Sequence, residues 1–130
     1  MANPNIVSVT SIYGESMGEA LTTNLSTVIM TANADVLLKV NSITVANWHA
    51  STATAVTVSI SKAAFTPAGI GASEDNAAVF DLCQALSVPA TDQLQVLEQP
   101  IYLMEEDELH AGATAATVDI FVSYEVINDA

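Results

Sequence analysis

The sequence predicts a single all-β domain, a two-sheet β-sandwich of jelly-roll type with about eight short strands. Three observations support this fold class. β-Branched residues dominate and alternate with polar residues over short runs. Turn-forming Gly, Pro, Asn and Asp residues separate these runs. Helical patterns are weak, and β-branched side chains lose rotamer freedom in a helix. Short strands separated by turns are typical of sandwiches and jelly rolls.

The clearest strand is predicted at residues 36–47, with the sequence VLLKVNSITVAN. A strict period of two places Leu38, Val40, Ser42 and Thr44 on one face of this strand. The opposite face carries the intervening residues, among them Ile43 and Val45. A second clear alternation, AVTVSIS at residues 55–61, predicts the strand that follows.

The other strands are predicted wherever apolar alternation lies between turn signals. They fall at residues 6–13, 22–31, 79–88, 93–97, 101–104, 109–113 and 118–126. Residues 64–77 contain Pro67, Gly69 and Gly71 and are predicted to be the longest loop. A single helical turn is the alternative at residues 18–23 or 73–78.

The domain organisation is predicted to be an N-terminal arm at residues 1–7 followed by the β-sandwich domain at residues 8–130. A chain of 130 residues is long enough for one core. Pro4 cannot donate a hydrogen bond to a sheet, which suits an extended arm. We therefore expect the arm, with Ile6 and Val7, to pack on a neighbouring subunit. The first nine residues lack the basic and apolar regions of a signal peptide.

Composition and charge restrict the partners of this protein. Fifteen acidic residues face only two basic ones, and the formal net charge is −13. Nucleic acids and anionic membranes are bound through Lys and Arg, so both are excluded as expected partners. Half of the residues are apolar and only 13% are charged, against about 25% in an average domain. A small domain cannot bury so much apolar surface alone, so we expect self-association, as a homotrimer.

No arrangement of residues indicates an enzyme, and no catalytic, cofactor-binding or metal-binding residue is assigned. The chain has two His and one Cys, and it lacks the recognised nucleophile, zinc and phosphate-binding motifs. Cys83 lies in an apolar run and is predicted to be a small core residue. His110 is predicted to be structural.

Glu105, Glu106, Asp107 and Glu108 form the one dense cluster of charge. Four adjacent carboxylates are potential ligands for Ca²⁺ or Mg²⁺. Consecutive residues of an extended chain point in different directions, however, and the spaced oxygen ligands and Gly of a calcium loop are missing. We therefore predict a solvated turn, with a cation site as the alternative.

Trp48 and His49 follow the clearest strand. A Trp at this place commonly closes the end of a sandwich core or packs on a neighbour. The alternative is that the Trp–His pair stacks on a sugar ring, as in a receptor-binding module. The candidate interface residues are therefore Pro4, Ile6, Val7, Trp48 and His49.

Several short motifs resemble a family of small structural proteins of tailed bacteriophages, especially marine and cyanobacterial phages. The most specific are PIYL at residues 100–103, DEL at 107–109 and SYE at 123–125, and the resemblance extends over residues 6–127. Members of the family commonly have Gly before the residue matching Asp107, where this chain has Glu106.

The resemblance implies a non-enzymatic virion component, most readily a capsid decoration (cement) protein. Such a protein is made in the host cytoplasm and lies on the outer surface of the phage particle. Its partners would be the major capsid protein and further copies of itself, often as a trimer. The alternative is a tail, neck or fibre component that contacts the host surface, because these parts use similar small sandwiches.

Overall fold

A computed structural model describes residues 11–63 and 78–128 of this protein. Over these residues the chain forms nine strands. They are β1 (Ser11–Ala20), β2 (Thr27–Thr31), β3 (Val36–Asn47), β4 (Thr54–Lys62), β5 (Ala78–Val88), β6 (Asp92–Leu97), β7 (Ile101–Leu103), β8 (Glu108–Ala113) and β9 (Val118–Asn128). Within the described ranges there is no helix, and residues 18–20 belong to β1 instead of a helical turn.

The strands form two antiparallel sheets stacked as a sandwich. The first sheet has the order β1-β9-β3-β6, with β7 also pairing with β3, and the second has the order β2-β8-β4-β5. This is the strand order of a jelly roll, and it confirms the predicted two-sheet sandwich. β6 and β7 pair with successive stretches of β3 and are separated by a break containing Pro100. β6 and β7 correspond to the two strands predicted at residues 93–97 and 101–104, and the nine strands compare with a predicted total of about eight.

The core between the sheets is built mainly from aliphatic side chains. The fully buried ones come from both sheets and from the central strands β3, β4, β8 and β9 above all. The largest are Ile43, Leu103, Leu109, Ile120, Val40, Val45, Val56, Val58, Val88, Val118 and Val122. Asn47, Thr54, Ser59, Glu105 and Asp107 are the polar residues buried in the described part of the chain.

The predicted face assignment of β3 is wrong beyond Val40, and a β-bulge is the reason. The register between β3 and β9 shifts between Val40 and Ser42, so Asn41 has no opposite residue on β9. One extra residue reverses the alternation. Val40 and Ile43 consequently both face the core, with Val45 after them.

Other element boundaries also differ from the predictions. β1 continues to Ala20 because all ten of its residues pair with β9. β2 is limited to residues 27–31, since residues 21–26 form a turn that precedes it. The predicted arm at residues 1–7, its boundary with the domain at residue 8 and the predicted loop at residues 64–77 lie outside the described residues.

Candidate functional site

Asn47, the last residue of β3, organises one end of the sandwich. Its side chain is 1% exposed, and its amide Nδ2 donates to the carbonyl oxygens of Thr52 (2.9 Å) and Val88 (3.1 Å). Its Oδ1 accepts from the main-chain N–H of His49 and from the hydroxyl of Thr117, both at 3.1 Å. These four bonds use the full capacity of the amide. They connect the loop after β3, the last residue of β5 and the turn before β9.

His49 stabilises the loop between β3 and β4. Its Nδ1 accepts hydrogen bonds from the main-chain N–H groups of Ser51 and Thr52, both at 3.1 Å. Its carbonyl oxygen accepts from the N–H of Thr91 at 3.1 Å. The side chain is half-buried, and together these bonds link residues 49–52 to one another and to the segment before β6.

Trp48 lies on this ordered loop with its side chain turned to solvent. It is 61% exposed, while its main-chain N–H is held by the carbonyl oxygen of Thr117 at 3.0 Å. The interpretation that Trp48 closes the sandwich core is therefore wrong. The other two interpretations, contact with a neighbouring protein and stacking on a sugar ring, both need an exposed ring.

A shallow depression of about 510 Å³ lies next to Trp48. Its lining consists of Ala46, Asn47, Trp48, Thr91, Asp92 and Gln93. Ala46 stands opposite Gln93 of β6 on one side and opposite Asp119 of β9 on the other. A small side chain therefore lies between two exposed polar ones, beside an exposed aromatic ring.

The carboxylate of Asp107 lies at the opposite end of β3 and is 1% exposed. It accepts hydrogen bonds from Lys62 Nζ at 2.6 Å, from the N–H of Ala63 at 2.9 Å and from the N–H of Met104 at 3.0 Å. The predicted solvated turn is thus wrong for Asp107. The side chain joins the end of β4 to the turn between β7 and β8.

Glu105 is also buried and not solvated. Its Oε1 accepts from the N–H of Asp35, in the turn between β2 and β3, at 3.0 Å. Glu106 is the exposed member of the cluster, and Glu108 is partly exposed. In the described part of the chain, no three His, Cys, Asp or Glu side chains are placed to hold a common metal ion.

Cys83 and His110 occupy structural environments. Cys83 packs against the core from β5. Partial burial, and to a lesser extent the carboxylate of Asp81, raise the pKa of its thiol, which lowers the thiolate fraction at neutral pH. His110 Nε2 lies 2.9 Å from Glu108 Oε1 on the same strand. Neither residue lines the depression at Trp48.

Two strands at opposite sides of the sandwich expose large apolar side chains. β1 is the first strand of one sheet and carries Ile12 and Tyr13, each about half exposed. β5 is the last strand of the other sheet and carries Val79 and Phe80, each slightly more than half exposed. Sequence reasoning missed these surfaces, because apolar alternation does not reveal which strands lie at an edge.

The sequence-predicted interface residues are distributed as follows. Trp48 lies in the depression and His49 in the loop that supports it, whereas Pro4, Ile6 and Val7 fall outside the described residues. Asn47, Asp92 and Gln93 were not predicted as site residues. Asn47 directly before Trp48 is a weak signal, since nothing in the sequence shows that its amide is buried.

Comparisons with known proteins leave the family of this chain open. No protein-family model matches it, and no curated protein sequence is significantly similar to it. Among solved structures, it is similar to a chain of the disulfide-linked pili that form Bacillus endospore appendages, with 10% identity and a TM-score of 0.42. That similarity covers 92% of this chain and 88% of the pilus chain, but it is too distant to support a functional inference. The described residues include no helix long and apolar enough to cross a membrane.

Proposed function

We propose that this protein is a non-enzymatic structural subunit of a tailed-phage particle, a capsid decoration protein that bridges adjacent major capsid subunits. The observation that supports it best is the pair of apolar edges, Ile12 and Tyr13 on β1 and Val79 and Phe80 on β5. The resemblance of the sequence motifs to phage structural proteins points in the same direction. The subunit would act on the outer surface of the head, as a homotrimer.

The positions of the two edges suit a bridging role. β5 lies beside β6, whereas β1 lies at the far end of the sheet that contains β6. The apolar edges therefore face in roughly opposite lateral directions. A subunit with one such edge can attach to one neighbour, whereas a subunit with two can connect neighbours that would otherwise separate under internal pressure.

The chemistry of both edges favours contact with another protein. Within the described residues, β1 pairs only with β9, and β5 pairs only with β4. Open edges are commonly protected by charged side chains, especially Lys, or by Pro. β1 and β5 contain neither Lys nor Pro, and their charged residues are Glu15, Glu19 and Asp81. Complete burial of the four half-exposed apolar side chains contributes about 1 kcal/mol per side chain to the free energy of binding. Repetition over many linked sites would multiply that modest contribution.

The second candidate is a tail, neck or fibre component that contacts the host surface. The exposed Trp48 and the polar depression beside it favour this role, because a surface that binds only protein subunits does not require them. Where the protein sits in the particle distinguishes the two candidates.

Binding to bare capsids tests the decoration role. Two double variants, Ile12→Ser with Tyr13→Ser and Val79→Ser with Phe80→Ser, each remove one apolar edge. We expect each to weaken binding by about tenfold or more. Leu25→Ser, which removes an exposed apolar side chain from a turn, is the matched control and should bind like the parent protein.

Circular dichroism establishes first that all variants keep the β-fold. Full-strength binding by both folded edge variants would exclude bridging through these surfaces. Binding of the parent protein to purified tails, without binding to capsids, would transfer the assignment to the tail or fibre role.

A further inference from the structure

We propose that the depression beside Trp48 binds a neutral, hexose-based saccharide. This inference does not depend on the bridging role of the two edges, since none of the residues lining the depression belongs to β1 or β5. It rests on one exposed aromatic ring carried by a hydrogen-bonded loop, on the polar side chains around it and on the local charge.

The first argument is that hydrogen bonds hold the main chain of the loop that carries Trp48. The loop that carries Trp48 is held by the saturated amide of Asn47 and by the two hydrogen bonds that His49 Nδ1 accepts. The main-chain N–H of Trp48 is itself held by Thr117. The main chain of this loop therefore loses little conformational entropy when a ligand binds, which favours weak polar ligands such as sugars.

The second step is the shape of the surface. Ala46 precedes Trp48 by two residues on β3 and lines the same depression. Its side chain is a single methyl group and leaves room beside the indole for a pyranose ring. The face of a hexose that carries its C–H groups is apolar and weakly positive, and it therefore complements the negative face of an indole.

The third step is the polar rim, formed by Thr91, Asp92 and Gln93. A hydroxyl group both donates and accepts, and it matches a side-chain amide that offers one oxygen and one NH₂. Asp92 Oδ1 already accepts from the N–H of Gln93 at 2.7 Å, which orients the carboxylate. Its second oxygen remains available to accept from a sugar hydroxyl.

The negative charge of the protein around the depression favours a neutral ligand. The protein has a formal net charge of −13, and Asp92 and Asp119 both flank this surface. The two lysines are engaged elsewhere, Lys39 with Glu125 and Lys62 with Asp107. An anionic sugar would therefore meet repulsion without a compensating cation.

An apolar protein segment fits this depression less well than a sugar does. It would cover the indole, but it would also remove water from the carboxylate of Asp92 and the amide of Gln93. Burying such groups without new hydrogen bonds is unfavourable. A saccharide covers the ring and supplies hydroxyl groups to the rim at the same time.

The experiment uses Trp48 as its own probe, because it is the single Trp of the chain. Intrinsic fluorescence is recorded while the full-length protein is titrated with neutral hexasaccharides of glucose, mannose or galactose. Oligogalacturonate of the same length is the anionic comparison. We expect a saturable change with at least one neutral hexasaccharide and none with oligogalacturonate.

Variants then locate the binding, measured by isothermal titration calorimetry because Trp48→Ala removes the fluorophore. Trp48→Ala and Gln93→Ala should each weaken binding by about tenfold. Tyr102→Ala, which removes an exposed aromatic ring from β7 outside the depression, should leave it unchanged.

Three results would overturn the proposal. They are no saturable binding of any neutral hexasaccharide, equal binding by the Trp48→Ala protein, and stronger binding of the anionic comparison. Failure of the capsid-binding experiment would leave this site unaffected, since the two tests use different residues.

Discussion

At the scale of single residues, the two lysines illustrate how burial decides the importance of an ion pair. Lys62 Nζ lies 2.6 Å from Asp107 Oδ2, and the two side chains are 17% and 1% exposed. Lys39 Nζ lies 3.7 Å from Glu125 Oε2, and those side chains are 34% and 37% exposed. Water and salt screen the second pair but hardly reach the first.

The same substitution at both lysines tests this difference. Lys62→Met leaves the carboxylate of Asp107 buried without its cation, and it should lower the free energy of unfolding by about 3 kcal/mol. Lys39→Met should lower it by less than about 1 kcal/mol. Urea unfolding of the two variants measures both values. Equal losses would contradict the structural role assigned to the buried pair.

Glu106 lies in a strained main-chain conformation. Its φ angle is 66°, a left-handed conformation that favours glycine. The turn therefore has a conformation suited to glycine although the residue is Glu.

Replacing this residue should stabilise the protein. Glu106→Gly removes the steric strain and should raise the free energy of unfolding by about 0.5 kcal/mol. Glu108→Gly is the control, because residue 108 lies in strand β8, where glycine is unfavourable. Thermal unfolding should shift upwards for the first variant and downwards for the second. A lower stability for Glu106→Gly would show that its side chain contributes more than the strain costs.

The buried carboxylates show why residue-level prediction was incomplete. The adjacent acids were interpreted as solvated because consecutive residues of an extended chain point in different directions and the pattern of a calcium loop is missing. Lys62 is 45 positions from Asp107, and Asp35 is 70 positions from Glu105. Only the folded chain brings these partners together, so burial of this kind is not visible in a local pattern. The exposure of Trp48 was undetermined for the same reason.

At the scale of elements, alternation predicted where strands occur better than which way they face. β4 was predicted almost to its ends, because AVTVSIS has no interruption. β3 was also predicted as a strand, but the bulge at Asn41 reversed its later half. A bulge is stabilised by the partner strand and leaves no clear mark on the sequence around it.

Glycines in two strands provide a matched test of the packing between elements. A Cβ at Gly112 of β8 would lie 2.3 Å from the carbonyl oxygen of Asn24, whereas a Cβ at Gly14 of β1 would meet nothing within 4 Å. Gly112→Ala should therefore lower the free energy of unfolding by about 2 kcal/mol or more, because main-chain atoms must move. Gly14→Ala should change it by less than about 0.5 kcal/mol. Similar values for both in urea unfolding would contradict the close approach of β8 to the turn at residues 22–26.

At the scale of the whole molecule, the fold class was predictable and the strand order was not. The amino-acid composition and the two-residue alternation of apolar residues distinguish an all-β sandwich from other fold classes. Both are averages over the chain and do not depend on which strands pair. The jelly-roll order depends on pairings between distant strands, such as β3 with β9. The arm at residues 1–7 stays a prediction, as does its contact with a neighbouring subunit.

Net charge predicts how self-association responds to salt. Copies with a formal charge of −13 repel one another, whereas burial of apolar surface between copies would hold them together. Salt screens the repulsion within about 10 Å at 0.1 M. The fraction of the proposed homotrimer in sedimentation experiments should therefore rise between low salt and about 0.5 M. A fall over this range would indicate attraction between opposite charges and contradict association through apolar surface.

The most direct test of the central claim is a cryo-electron microscopy map of the native particle in which this protein is located. The account predicts density for the sandwich on the outer surface of the head, between capsid subunits, with β1 and β5 facing different neighbours. Density confined to the tail or fibres, or a head-bound sandwich with both edges exposed to solvent, would contradict the proposed bridging function.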